Sequence, residues 1–227
     1  MKLLPILLCT LTTIAFAADP QPSQRIVSLG DSITKGVRPG VTDKETFSYY
    51  LQQELNSPTS PVEVHNVGIG GERTDQALKR LDKDVLALKP HIVLIMYGHN
   101  DSYVDAGAKH PRISPAEYAD NLRQLVECLR KADAQPILMT PPAYSTGNKN
   151  GIGDDPDVLL EQYARTVRDV AKELKVPLVD HYALWRKRRD DGEEIRNLTT
   201  DGYHPNPTGH KLLSETILPT LRKTLSP

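Results

Sequence analysis

Four short polar segments hold the residues whose chemistry stands out in this chain. They are Gly30-Asp31-Ser32, the glycine-rich stretch 68–74, Gly98-His99-Asn100-Asp101, and Asp201-Gly202-Tyr203-His204. A serine hydroxyl becomes a useful nucleophile only when a base removes its proton, and an imidazole serves best as that base when a third group fixes its tautomer. Ser32 can supply the hydroxyl. Asp201 and His204, three residues apart in one turn, can supply the other two functions. Attack on a carbonyl also creates an oxyanion, which needs donors already in place; removing one such donor typically costs about 2.7–4 kcal/mol of transition-state stabilisation. The backbone N–H of Ser32, the backbone N–H of Gly71 and the side-chain amide of Asn100 are the candidate donors. Together these are the parts of acyl transfer.

Each segment alone also has a plainer reading. Ser32 is a good helix N-cap, Asn100 a good turn former, and Gly68, Gly70 and Gly71 suit a turn with positive φ. Asp31 and Asp101 read as residues that brace their turns by hydrogen bonding. The glycines do not make a dinucleotide fingerprint, because Arg73 stands where G-x-G-x-x-G needs its third glycine. No serine sits in a G-x-S-x-G elbow, which argues against the α/β-hydrolase fold. The other histidines, at 65, 91, 99, 110, 181 and 210, form no H-x-x-x-H or Cys/His cluster, so neither a metal site nor a cofactor is expected. His99 and Arg73 are carried forward as possible substrate-binding residues.

The four segments can cooperate only if the fold gathers them at one edge. Short β-branched runs at 25–29, 62–67, 91–97, 136–140 and 177–179 alternate with helical patterns at 46–55, 74–88, 115–132, 157–174 and 207–225, the last with a break expected at Pro219. Residues 91–97 are an almost unbroken apolar run, as a strand buried on both faces requires. Ser114-Pro115-Ala116-Glu117 combines a Ser cap, Pro at the first helical position and Glu three residues after the cap. The alternation predicts a single three-layer α/β/α domain around a parallel sheet of about five strands. Ligands of such sheets bind beyond the carboxyl ends of the strands. Three of the polar segments follow predicted strands there, and the fourth precedes the last helix. Two long loops, 102–113 and 144–156, have the length of functional loops.

In order and content the four segments resemble those of the SGNH hydrolases, also called GDSL esterases and lipases. The first block stands here as Gly30-Asp31-Ser32-Ile33-Thr34, with Ile where the family name has Leu. The second is Asn66-Val67-Gly68-Ile69-Gly70-Gly71-Glu72-Arg73-Thr74, the third Gly98 to Asp101, and the last Asp201 to His204. The resemblance covers nearly the whole chain after its first residues. It implies a flavodoxin-like SGNH fold and a Ser32–His204–Asp201 triad. Its oxyanion hole would comprise Ser32, Gly71 (with Gly70 adjacent) and Asn100. It further implies a carbohydrate acetylesterase-like member of the family, with no cofactor.

The first residues read as an export signal: Lys2, an apolar run over 3–16, then Ala15-Phe16-Ala17. The run is too short for an ordinary membrane-spanning helix, which needs roughly 20 apolar residues. Cys9 invites a lipoprotein reading, but Leu8 before it is large and little apolar length precedes it. A signal at 1–18 and one domain at 19–227 are therefore expected, giving a secreted or periplasmic protein. Only Cys128 would remain after cleavage, on a helical apolar pattern with Leu122, Leu125 and Leu129, as a small buried hydrophobe rather than a disulfide partner. Without Lys2 the chain has 27 basic against 29 acidic residues, which points to no nucleic-acid or anionic-membrane partner. The polar loop residues, among them Lys109, Arg112 and Asp154, and the lack of an apolar lid favour a short acyl group on a carbohydrate. The rival substrates are those of a general short-chain esterase or a lysophospholipase-type lipase. The rival of another class is a non-catalytic glycan-binding protein. The sequence leaves the oligomeric state open.

Overall fold

The computed structural model of the protein describes residues 24–58 and 60–225. Five strands, β1 (Gln24–Gly30), β2 (Val62–Asn66), β3 (Ile92–Met96), β4 (Gln135–Thr140) and β5 (Leu178–Asp180), form one sheet in the order β2-β1-β3-β4-β5. Every pairing is parallel. The helices are α1 (Ser32–Lys35), α2 (Phe47–Leu55), α3 (Thr74–Arg80), α4 (Pro115–Lys131), α5 (Pro156–Glu173), α6 (His181–Asp190) and α7 (Pro207–Leu225). Strand order 2-1-3-4-5 reverses direction between β1 and β3, and at that switch point the loops part to leave a crevice. Ser32 follows β1 and Asn100 follows β3, so both sit at its mouth.

The uninterrupted apolar run of β3 is explained by its position in the middle of the sheet. Ile92, Leu94 and Met96 face a core shared with α2 and α7, while Val93 and Ile95 face one shared with α3, α4 and α5. Full burial of each such side chain contributes about 1.5–3 kcal/mol, so the strands that carry the site's loops are anchored in both cores. Ser114 caps α4 as expected, accepting from the N–H of Glu117. Cys128 is only partly buried, at the edge of the second core.

Three elements differ from expectation. The helix expected over 74–88 is α only to Arg80, then continues as a π turn, Leu81–Val85, and a 3-10 turn, Leu86–Leu88. Apolar residues spaced by four suit either kind of turn, so periodicity does not distinguish them. The last helix runs through Pro219 without a break. Helix α6 had no sequence signal, because its Arg186–Asp190 stretch is charged throughout. It forms because Asp180, ending β5, caps it by accepting from the Ala183 N–H at 3.1 Å, and because Trp185 is fully buried beneath it. The expected export segment, with Cys9, lies outside the described residues.

Candidate active site

Chain geometry around Ser32 is tight. A Cβ on Gly30 would lie 2.5 Å from the carbonyl oxygen of Met96, so only glycine lets β1 approach β3 and turn sharply into α1. Asp31, not Ser32, caps α1: its carboxylate accepts from the Ile33 N–H at 2.9 Å. The serine hydroxyl is thereby left for other contacts. Ser32 Oγ lies 2.8 Å from His204 Nε2, and His204 Nδ1 lies 2.8 Å from Asp201 Oδ2. A carboxylate only accepts, so Nδ1 carries the ring proton and Nε2 is the acceptor facing the serine. The Asp201 turn is itself closed, Oδ1 accepting from the His204 backbone N–H at 3.0 Å.

Burial lowers the His204 pKa and outweighs the opposing hydrogen bond and charge of Asp201, while Arg38 lowers it further. The lowered pKa favours the neutral imidazole, the form able to accept a proton. Burial pushes Asp201 up, but the His204 amide and ring, then Arg38, hold it below 3.8. Arg38 donates to the same Oδ2 at 2.7 Å.

The proposed oxyanion donors converge on one cavity of about 620 Å³ lined by Ser32, Gly71, Asn100 and His204. The turn at 69–72 is closed by the Glu72 N–H donating to Ile69 O at 3.3 Å, with Gly71 third in the turn at φ 78°. That left-handed conformation favours glycine. Gly70 is not among the residues that line the cavity. The Asn100 amide is held at both ends: Nδ2 donates to Asp31 Oδ2 at 3.3 Å, and Oδ1 accepts from Arg112 at 3.3 Å. Arg112 is fixed by a two-pronged ion pair with Asp105 and lies 4.8 Å from the centre of the Tyr103 ring. Loop 102–113 thus brings a guanidinium to the oxyanion side. Loop 144–156 closes the His204 side, Ser145 N–H donating to Gly202 O at 2.8 Å.

The two possible substrate-binding residues part company. His99 lines the cavity, its Nε2–H donating to Pro142 O at 2.8 Å and its ring against Tyr144 and Tyr203. Burial drives its pKa down to about 3, so it is a neutral wall residue. Arg73 does not line the cavity; its guanidinium pairs with Asp75 at the start of α3. Asp101, read as a brace, accepts from both the N–H and the hydroxyl of Thr74 at 2.9 and 2.6 Å, which ties the second and third blocks together. Among the described residues no group of three or more His, Cys, Asp or Glu is arranged to hold a metal ion.

One supporting network had no sequence signal. Glu72, next to Gly71 and only 5% exposed, pairs with Arg80 at 2.5 Å and accepts from the Tyr97 hydroxyl at 2.6 Å. Arg80 also donates to Val67 O, gripping the glycine turn at its other end. The partners of Glu72 lie 8 and 25 residues away, on a helix and at a strand end. Breaking a buried pair from one side costs about 3–5 kcal/mol. Glu72→Ala should therefore lower the unfolding midpoint by on the order of 10 °C in a thermal melt. An unchanged midpoint would mean that the pair adds nothing to stability.

A family model described as "GDSL-like Lipase/Acylhydrolase family" matches residues 28–212. Among curated proteins, the "Uncharacterized lipoprotein YqeF" of Bacillus subtilis is 28% identical over 93% of this chain and 95% of its own. An "Acetylxylan esterase" of Geobacillus stearothermophilus is 29% identical over 86% of this chain and 92% of its own. A crystal structure of an acetylxylan esterase from Geobacillus stearothermophilus superposes with a TM-score of 0.73 at 28% identity, covering 90% of this chain and 96% of that one.

Proposed function

The chain belongs to the GDSL-like lipase/acylhydrolase family and is a serine carboxylic ester hydrolase, and from that premise we propose that it removes acetyl or similarly short acyl groups from carbohydrate hydroxyls through a Ser32–His204–Asp201 triad. The observation that carries the reading is the unbroken contact path from Ser32 Oγ through the imidazole to Asp201, opening on the cavity that Gly71 and Asn100 also line.

Ser32 Oγ attacks the ester carbonyl carbon as its proton passes to His204 Nε2, and Asp201 stabilises the imidazolium that forms. The carbonyl electron pair moves to oxygen, which the Ser32 and Gly71 N–H groups and the Asn100 amide receive. On collapse the C–O bond to the alcohol breaks, and His204 returns its proton to the departing oxygen. Water, deprotonated by His204, then attacks the acyl-serine; the C–Oγ bond breaks, His204 returns the proton to Ser32 Oγ, and the acid is released.

The substrate class is supported by the wall of the cavity. Tyr103, Tyr144 and Tyr203 supply apolar ring faces with polar edges. The Asn148 amide N–H groups are taken up by Ser145 and Gly202, so Lys149 and Arg112 supply the hydrogen-bond donors around the rings. That mixture suits a sugar, which is apolar across its ring faces and hydroxylated at its edges. The acetylxylan esterase relatives support the same class. Export by a signal at 1–18, ahead of one catalytic domain at 19–227, completes the proposal.

Acetate release from acetylated xylan and other acetylated polysaccharides tests it, together with a series of p-nitrophenyl esters. Acetate should be released by the wild type and not by Ser32→Ala, and the acetyl ester should be cleaved faster than the octanoyl ester by tenfold or more, on the order of what a few poorly placed methylenes cost. A clear preference for octanoyl would sink the short-acyl reading. Hydrolysis of p-nitrophenyl acetate without release from any glycan would sink the carbohydrate reading alone.

A further inference from the structure

Arg38 lies in a segment that belongs to none of the four polar blocks, yet its guanidinium touches the group that orients the base. Chain order explains how it gets there. After the single turn of α1, the Gly36 N–H donates to Ser32 O, and a tight turn follows at Arg38-Pro39-Gly40-Val41. Its ends are clasped twice, the Arg38 N–H donating to Val41 O at 3.1 Å and the Val41 N–H to Arg38 O at 2.9 Å. Proline second and glycine third, at φ 88°, suit such a turn. The segment that carries Ser32 is thus folded back so that, six residues later, it presents a charge to the loop that carries His204.

The contact is specific. Asp201 Oδ2 accepts from Arg38 at 2.7 Å and from His204 Nδ1 at 2.8 Å, so two donors divide one oxygen. A fixed positive charge there draws on the carboxylate that would otherwise act wholly on the imidazole. The remaining groups near the ring come from several elements: Ser32 at α1, His99 after β3, Tyr203 on the same loop, and His210 on α7. Burial keeps His99 and His210 neutral down to about 3 and about 4. Asp31, beside the nucleophile, is pushed up to about 7 by burial.

We propose that Arg38 is a positioning residue of the proton relay that acts through charge: by sharing Asp201 Oδ2 with His204 it limits the carboxylate's pull on the imidazole, so that the base stays ready to take the Ser32 proton in mildly acidic solution. The proposal rests on the Ser32–His204–Asp201 reading.

The sign follows from the charges. Removing a cation near His204 stabilises the imidazolium, so the ring stays protonated to higher pH and the acid limb of kcat/KM moves up. The test compares wild type, Arg38→Gln, Arg38→Met and Arg38→Lys on p-nitrophenyl acetate across the pH range, with the His204 ring followed by NMR to separate it from Asp31. His204→Ala serves as the control for the relay itself. In Gln and Met the acid limb and the His204 titration should rise together by about half a pH unit, the size expected of one half-exposed charge at this range. The plateau rate should stay within about threefold, and Lys should restore most of the shift. An acid limb unmoved in a folded Gln or Met variant overturns the proposal, as does a uniform loss of rate at every pH. It is equally overturned if neither Gln nor Met folds, because Arg38 would then be a structural strut. Full activity in His204→Ala would instead remove the triad reading itself, whatever Arg38 does.

Discussion

Ser32→Ala should hydrolyse p-nitrophenyl acetate with kcat about 10⁶-fold below wild type while KM stays within a few-fold. That fold-change corresponds to roughly 8 kcal/mol of lost transition-state stabilisation. The loss falls on kcat because the hydroxyl makes its decisive bond only during reaction; the cavity walls, with Tyr103, Tyr144 and Tyr203, are untouched by the substitution. The residual rate would come from the oxyanion donors and binding alone. Stability separates this from the plainer role the sequence also allows. If Ser32 capped a helix, alanine would cost about 1 kcal/mol of folding energy. The cap is Asp31, through the Ile33 N–H, and Ser32 Oγ faces His204. The thermal midpoint should therefore stay within the roughly 0.5 kcal/mol typical of a surface change. A variant retaining more than about one part in a hundred of the wild-type rate would remove Ser32 as nucleophile.

What the sequence could tell depended on how far apart the relevant residues lie along the chain. The sheet was legible because burial on both faces forces unbroken apolar runs, as at 92–96, and because turn residues follow each run. Ser32, Gly71, Asn100, Asp201 and His204 were legible because each sits in a short block, and the fold does gather them on one cavity or beside it. The residues that hold those blocks in place were not. Glu72 and Arg80 are eight residues apart, one just before α3 and one at its end, and Arg38 meets Asp201 over 163 residues. No periodicity marks a charge whose partner arrives by tertiary folding. Arg73 shows the converse. It looked free to bind substrate in the sequence, but Asp75, two residues on, takes up its guanidinium. Helix α6 escaped for a related reason: its charged stretch reads as loop, and its stability comes from a cap at the end of β5 and one buried tryptophan.

Asp201→Asn should lower kcat about 10⁴-fold, and its partner Arg38 should make the loss partly reversible by a second substitution. The scale is that of a base left with its proton on the wrong nitrogen, or without a carboxylate to stabilise the imidazolium. Here the amide has no satisfactory orientation. With its NH₂ at the Oδ2 position it meets two donors, Arg38 and His204 Nδ1; with its NH₂ at the Oδ1 position it meets the His204 backbone N–H. Either way a donor faces a donor. In addition, the Arg38 charge, compensated in the wild type by Asp201, would stand unopposed beside an imidazole that must become cationic in the transition state. Removing it should therefore help. The double variant Asp201→Asn/Arg38→Gln is expected to regain about tenfold in kcat over Asp201→Asn, an interaction of about 1.4 kcal/mol, within the range for residues in one charge network. Arg38→Gln in the wild-type background should do the opposite at acidic pH, as derived above. The sign reversal is what a four-member kinetic cycle would measure. If the double variant instead lost the product of the two single effects, Arg38 and Asp201 would be acting independently, and the guanidinium would have no part in setting the charge that the base feels.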